Sequence, residues 1–325
     1  MKQVLGVLLV CLFISCNGEQ KNTKLTGAVF GTSYSIIYDS DIDYEKQFDS
    51  LFYVINKSMS TYQVNSDISK LNRNETVEID NHFINVYDAS KEIFGLTEGA
   101  FDPTIGNVVN AWKFGAENTI EVVDSLKIDS LMQYVGYDKT YRLKRSIIKS
   151  NPNVYLEFNA IAKGYGVDLI GEFLESQNVK NYLVEIGGEL RAKGRNTEKH
   201  SKWKVGVEEP NFEGGQSILK AISLKNEAMA TSGTYRKFKV DENGNRYAHI
   251  INTETGYPSK TNLLSVSVIA ENCMTADAYA TAFKVMGIEK VKTFLKRHPE
   301  LKVFLIFVND NQELETLTLN GFPEE

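Results

Sequence analysis

Residues 264–287 read LSVSVIAENCMTADAYATAFKVMG, and two periodicities meet inside that stretch. Leu264 to Ala270 alternates as a strand does, while the small and apolar residues after Thr275 predict a helix that Gly287 stops. Thr275 is a good N-cap, which places Asp277 in the first turn. Residues four apart share a helix face, so the Asp277 carboxylate and the Thr281 hydroxyl point at one object. Two oxygen ligands beside helix N-terminal amides suit a magnesium ion carrying a phosphate. An acid in a first turn also serves the helix dipole, and this stretch alone leaves both readings open.

Composition narrows the field. With 325 residues, 42% hydrophobic and 24% charged, the chain can bury a large core as one large domain or two. A net charge of -6 argues against nucleic acid as a partner, so a phosphate ligand has to be held locally, by a metal or by backbone amides. Met1-Lys2-Gln3 followed by the apolar run Val4 to Ile14 reads as a signal-peptide core, too short to span a membrane. The run ends Leu12-Phe13-Ile14-Ser15-Cys16, which resembles a bacterial lipobox, where the Cys becomes the lipidated N-terminus. An ordinary cleaved signal with a chance Cys is the alternative. The expected organisation is a signal peptide over 1–15, a polar tether over 16–24 starting at lipidated Cys16, and a folded domain over 25–325. That predicts an exported protein, lipid-anchored to a bacterial membrane on the periplasmic side. Cys273 is the one cysteine left for the folded part, so it forms no internal disulfide and reads as a small buried hydrophobe.

Working outward along the chain, Val29 to Tyr38 reads as a strand with Gly31-Thr32 inside it, a Gly position that often marks close approach by a ligand. Asp43 to Met59 predicts a helix burying Phe48, Leu51, Phe52 and Ile55. Tyr62 lies in the polar stretch that follows, either packing in a loop or stacking on a flat ligand, and Ser66 caps a further helix. After a helix over His82 to Thr97 comes Ala100-Phe101-Asp102-Pro103, where Pro103 holds Asp102 extended; its carboxylate meets a ligand or closes an Asx-type turn. Tyr141 to Phe158 carries two strand-like runs separated by Asn151-Pro152-Asn153. Glu157 to Asp168 is then a strand-loop-helix passage with small residues around Lys163, suited to phosphate but lacking Walker spacing. Strand Tyr182 to Ile186 ends at Gly187-Gly188, and Ser232-Gly233 offers a hydroxyl and an open amide. Asp241 to Asn245 is a hairpin turn, and His249 on the returning strand is compatible with catalysis or with a structural role. A Lys-rich helix over Ile288 to His298 and a strand over Val303 to Val308 close the chain. Strands and helices do not alternate strictly, which favours a compact α+β domain over a doubly wound sheet.

Eight motifs in this order resemble the ApbE family, the FAD:protein FMN transferases: FGTSY, MSTYxxxS, GAFDPTIG, AIAKGYGVD, EIGG, ATSGTY, HIINxxTGYP and SVSVIAENCMTADAYATA, between Phe30 and Gly287. The resemblance implies a single T-fold-related domain with mixed or antiparallel sheets and flanking helices. It implies an FAD pocket lined by Phe30, Tyr62, the Ala100-Phe101-Asp102 turn, Glu157, Lys163, Ser232 and Ile250. It also implies a magnesium site made by the Ala160 carbonyl, Asp277 and Thr281. Phe30 stands where relatives often have Met, Glu157 where they often have Asp, and Ala280 where some have a second Asp. The implied reaction moves FMN from FAD to a Ser or Thr hydroxyl of a client redox protein, with AMP leaving; His249 is the candidate proton acceptor. Clients would be exported or membrane-bound subunits, such as those of sodium-pumping NADH:quinone oxidoreductase or Rnf-type complexes. An FAD diphosphatase and a non-catalytic FAD-binding lipoprotein are the competing readings.

Overall fold

The computed structural model describes residues 22–117, 123–211, 215, 217–235, 238–240 and 246–324. The signal peptide, the lipidation of Cys16, most of the tether and the turn at 241–245 lie outside the described residues.

The chain opens with a hairpin where the sequence predicted one strand. β1 (Thr23–Val29) and β2 (Thr32–Tyr38) pair antiparallel, and Phe30-Gly31 is the two-residue turn, with φ of 50° and 74°. Positive φ at both central positions is the primed-turn geometry that matches strand twist, and Phe30 is an unusual residue to adopt it. Thr23 and Lys24, expected in the tether, pair with Tyr38 and Ile37 instead.

Helices follow on one side. In α1 (Glu45–Met59) Phe48, Phe52 and Ile55 are buried at helical spacing, as their sequence positions require. Ser66 caps α2 (Asp67–Asn72) through the Ser69 amide, and Asp80 caps α3 (Asn81–Leu96) through the Phe83 amide. Two short helices, α4 (Gly106–Ala111) and α5 (Ser125–Met132), lead to the hairpin of β3 (Thr140–Leu143) and β4 (Ser146–Lys149). The turn of that hairpin is Lys144-Arg145, not Asn151-Pro152-Asn153. The second predicted run, Val154 to Phe158, joins no sheet. Its Leu156 amide and carbonyl are held by the Asn72 side chain at 2.9 and 2.8 Å, and the Glu157 amide donates to Pro103 O.

After α6 (Ala162–Ser176) come the paired strands β5 (Tyr182–Ile186) and β6 (Glu189–Lys193), the outer hairpin β7 (Trp203–Glu208) and β8 (Ile218–Leu224), and β9 (Glu227–Gly233). A small pair, β10 (Phe238–Val240) and β11 (Arg246–Ala248), precedes β12 (Leu263–Ala270), α7 (Cys273–Leu295), β13 (Lys302–Val308) and β14 (Leu314–Leu319). The sequence did not predict β14. Eight strands form one sheet in the order β1-β2-β5-β6-β9-β12-β13-β14, with every neighbouring pair antiparallel.

Strand periodicity sorts the core into two layers. On β12, Val266, Val268 and Ala270 join the cluster under the helices, while Ile269 joins Trp203, Val205 and Ile222 of the outer hairpin. Both faces of the central strands are therefore covered, which is why β12 is apolar or small throughout. In α7, Gly287 (φ 75°, ψ 170°) breaks the helix without ending it, so the predicted stop is a kink.

Candidate active site

Two hairpin tips reach the same end of the sheet: Phe30-Gly31, and Gly187-Gly188 with φ of 65° and 104°. They are packed close enough that a Cβ on Gly187 would sit 2.7 Å from Thr32 Cγ2, so the glycine there is required by space as well as by φ. These tips, the turn after α3 and the N-terminal part of α6 enclose a cavity of about 950 Å³.

Every residue the sequence nominated for the site lines that cavity. Phe30, the 60% exposed Tyr62, the Ala100-Phe101-Asp102 turn and Glu157 all belong to its lining. Ser232, His249 and Ile250 belong to it too, as do Ala160 and Lys163 at the start of α6 and Asp277 and Thr281 on α7. His249 packs edge-on against Phe114, with ring centroids 6.3 Å apart. The Ser232 and Thr281 hydroxyls are 3.1 Å apart.

Asp102 resolves toward the Asx turn. Its Oδ1 accepts from the Thr104 amide at 2.8 Å and hydroxyl at 2.6 Å, and burial outweighs these bonds to push its pKa up to about 6.

The entry to α7 differs from the expectation. Asn272, not Thr275, is the N-cap, accepting from the Thr275 amide at 2.9 Å. Asp168 of α6 takes the Cys273 and Met274 amides at 2.9 and 2.8 Å. The free amides of the first turn are thus consumed by protein, and Asp277 sits in the second turn. Its carboxylate serves a different helix. α6 begins at Ile161 with no side-chain cap of its own, and Asp277 Oδ2 accepts from the Gly164 amide at 3.0 Å. Gly164 is what lets the two helices meet, since a Cβ there would lie 2.4 Å from Cys273 O.

Beside this contact lies a residue that sequence reasoning passed over. Glu189, the first residue of β6, is 3% exposed and forms an ion pair with Lys163 at 2.5 Å. Burial, opposed by Lys163, pushes Glu189 up to about 7, and burial raises Asp277 as well. Burial also works against the Lys163 charge, yet Glu189 and then Asp277 outweigh it and hold the ammonium above its ordinary range. The other Glu189 oxygen, Oε2, is buried and meets no hydrogen-bond partner among the described residues. The signal available in the sequence was its place directly after Gly187-Gly188.

Around Lys163 two buried carboxyl groups face one ammonium, so the surplus acid either keeps a proton, the direction in which both are shifted, or takes a cation. Among the described residues no three His, Cys, Asp or Glu side chains converge into a closed metal cage. A donor set of one carboxylate, one hydroxyl and one carbonyl fits magnesium, which binds one or two carboxylates and fills its octahedron with water and substrate phosphates.

An eight-stranded antiparallel sheet flanked by helices, with this cavity at the strand ends, is the architecture of a group of transferase enzymes. The flavin transferase ApbE of Vibrio cholerae superposes with a TM-score of 0.82 at 32% identity, over 92% of this chain and 97% of that one. The apo flavinyl transferase ApbE of Pseudomonas stutzeri gives 0.81 at 28% identity, over 92% and 94%. The ApbE family model matches residues 30–305, and the chain belongs to that family. A Haemophilus influenzae relative named FAD:protein FMN transferase is 37% identical over 329 residues, covering 95% of this chain and 94% of its own.

Proposed function

We propose that this chain transfers the FMN moiety of FAD to a Ser or Thr hydroxyl of a client protein, with release of AMP and dependence on magnesium. One observation carries the reading: a single cavity of about 950 Å³ is lined by aromatic rings, a lysine, a carboxylate-hydroxyl pair and a histidine, as a flavin dinucleotide and its diphosphate bridge would require.

In this reading the acceptor hydroxyl attacks the FMN-side phosphorus. A new phosphoester bond forms as the bond to the AMP phosphate breaks, and the hydroxyl proton passes to His249. Lys163 sets positive charge beside the diphosphate, and Phe30 and Tyr62 orient the ring system by contact with its faces. Asp277, Thr281 and the Ala160 carbonyl would hold magnesium. The chemistry such an ion supplies is charge neutralisation on the diphosphate and on the departing AMP. Asp102, tied up in its turn, contributes shape rather than proton transfer.

The client is proposed to be an exported or membrane-bound redox subunit, of the sodium-pumping NADH:quinone oxidoreductase or Rnf type, in keeping with the lipobox ending at Cys16. Mass spectrometry of the mature chain expressed in bacteria tests the anchor: diacylglyceryl mass on Cys16 supports it, and an unmodified Cys16 removes it. Transfer itself is tested by incubating the chain with FAD and magnesium, with and without a candidate client. Flavin fluorescence that stays with the client after denaturation is the expected result. Free FMN without client labelling would replace transfer by hydrolysis, and intact FAD would reduce the chain to a binding protein.

A further inference from the structure

Around Lys163 the cavity sets two buried carboxylates, Glu189 and Asp277, against one ammonium, and they are engaged differently. Asp277 has a structural task, capping α6 through the Gly164 amide. Glu189 has one oxygen on Lys163 and the other, buried, on nothing among the described residues. It directly follows the Gly187-Gly188 tip and lines the same cavity as Lys163 and Asp277. A carboxylate so placed weakens the site for an anion in two ways: it occupies the lysine that would meet a phosphate, and it adds repulsion of its own.

We propose that Glu189 makes capture of the flavin dinucleotide conditional on a divalent cation. The inference rests on the flavin-transfer reading of the cavity and concerns how its substrate enters. A diphosphate bridge carries two negative charges, so the bare dinucleotide meets two carboxylates and one engaged ammonium. Paired with a divalent cation, the same bridge is neutral and takes a place in a site whose surplus charge is negative. Glu189 thereby acts as a positioning and selecting residue, excluding the metal-free nucleotide that cannot react and that would otherwise block the cavity.

The test is equilibrium binding of FAD to the full chain, without client, in EDTA and in saturating magnesium. The wild type is expected to bind at least about tenfold more tightly with magnesium, a difference of ~1.4 kcal/mol. Glu189→Gln, which keeps a hydrogen-bond acceptor for Lys163 but no charge, is expected to tighten metal-free binding about tenfold and to shrink the magnesium effect to match. Glu189→Asp keeps the charge and is expected to keep the wild-type ratio. A Glu189→Gln variant with the wild-type ratio of affinities overturns the inference. Thermal unfolding checks that each variant is folded, and Glu189→Met, neutral and of similar shape, gives the same readout if the Gln variant does not fold. Wild-type protein that binds no FAD in either buffer overturns the flavin reading itself, and this inference with it.

Discussion

Two charge clusters share β6, α6 and α7, and they are finished differently. Glu189, Arg191 and Lys193 alternate along one face of β6, so neighbours on the same strand feed both clusters. In the first, Asp168 accepts from Arg191 at 2.9 Å and from two amides of α7, while Glu175 accepts from Arg191 at 3.1 Å, Tyr182 at 2.6 Å and Lys193. Two carboxylates meet two cations. In the second, Glu189 and Asp277 share Lys163, and one oxygen is left over. A network that is fully satisfied holds a fold together; an unsatisfied buried oxygen at a cavity wall calls for a water, an ion or a ligand. The closed cluster ties α6 to β6 and α7, and the open one lines the cavity proposed as the site.

The largest effect is expected in the open cluster. Asp277→Ala removes the one carboxylate proposed for the cation and should lower turnover at least about 1000-fold, ~4 kcal/mol of barrier. Its fold should survive, because loss of the α6 cap, about 1 kcal/mol, is offset by relief of a buried charge. Magnesium-dependent turnover persisting in that variant would break the distinction between the clusters. Asp168→Ala should do the reverse. Two amides of α7 lose their acceptor and Arg191 loses a partner, so denaturant titration should show a loss of roughly 3 kcal/mol. A shift of the midpoint too small to measure would show that the closed cluster is not scaffold.

Asp102 sharpens the contrast as a buried carboxylate with no ion pair among the described residues. Its pKa is raised in the folded chain, from the ordinary 3.8 to about 6, so the native state holds the proton more tightly than the unfolded one. Stability should therefore fall as pH rises from about 4 to about 6 and stay lower above that, by an amount on the order of 3 kcal/mol. Asp102→Asn keeps the acceptor for Thr104 and should flatten this part of the stability curve while stabilising the protein at pH 8. An unchanged curve would mean that Asp102 ionises without cost. Glu175→Gln is expected to matter least. That side chain is 29% exposed, and a pair open to solvent contributes about 0.5 to 1 kcal/mol.

Much of the site was readable because its residues are local in sequence. Asp277 and Thr281 share a face by helical spacing alone, and Gly187-Gly188 and Ser66 announce a turn and a cap by residue type. Several of the errors involve partners far away in the chain. Thr275 and Asn272 are both good caps, and the choice was made by packing against α6, where Asp168 accepts from the Cys273 and Met274 amides and so starts the helix ahead of Thr275. Phe30 looked like a strand residue because bulky side chains rarely take positive φ, and the cavity gives it a reason to. Val154 to Phe158 has a strand's composition, but its partner is the side chain of Asn72, 84 residues away from Leu156. Glu189 was invisible as a site residue because its meaning comes from Lys163 on another element.

The most direct measurement is a crystal structure of the chain soaked with FAD and magnesium. The account predicts an octahedral ion about 2.1 Å from an Asp277 oxygen, touching the diphosphate of a nucleotide seated between Phe30 and Tyr62. Density placing the ion or the diphosphate away from Asp277 would contradict it.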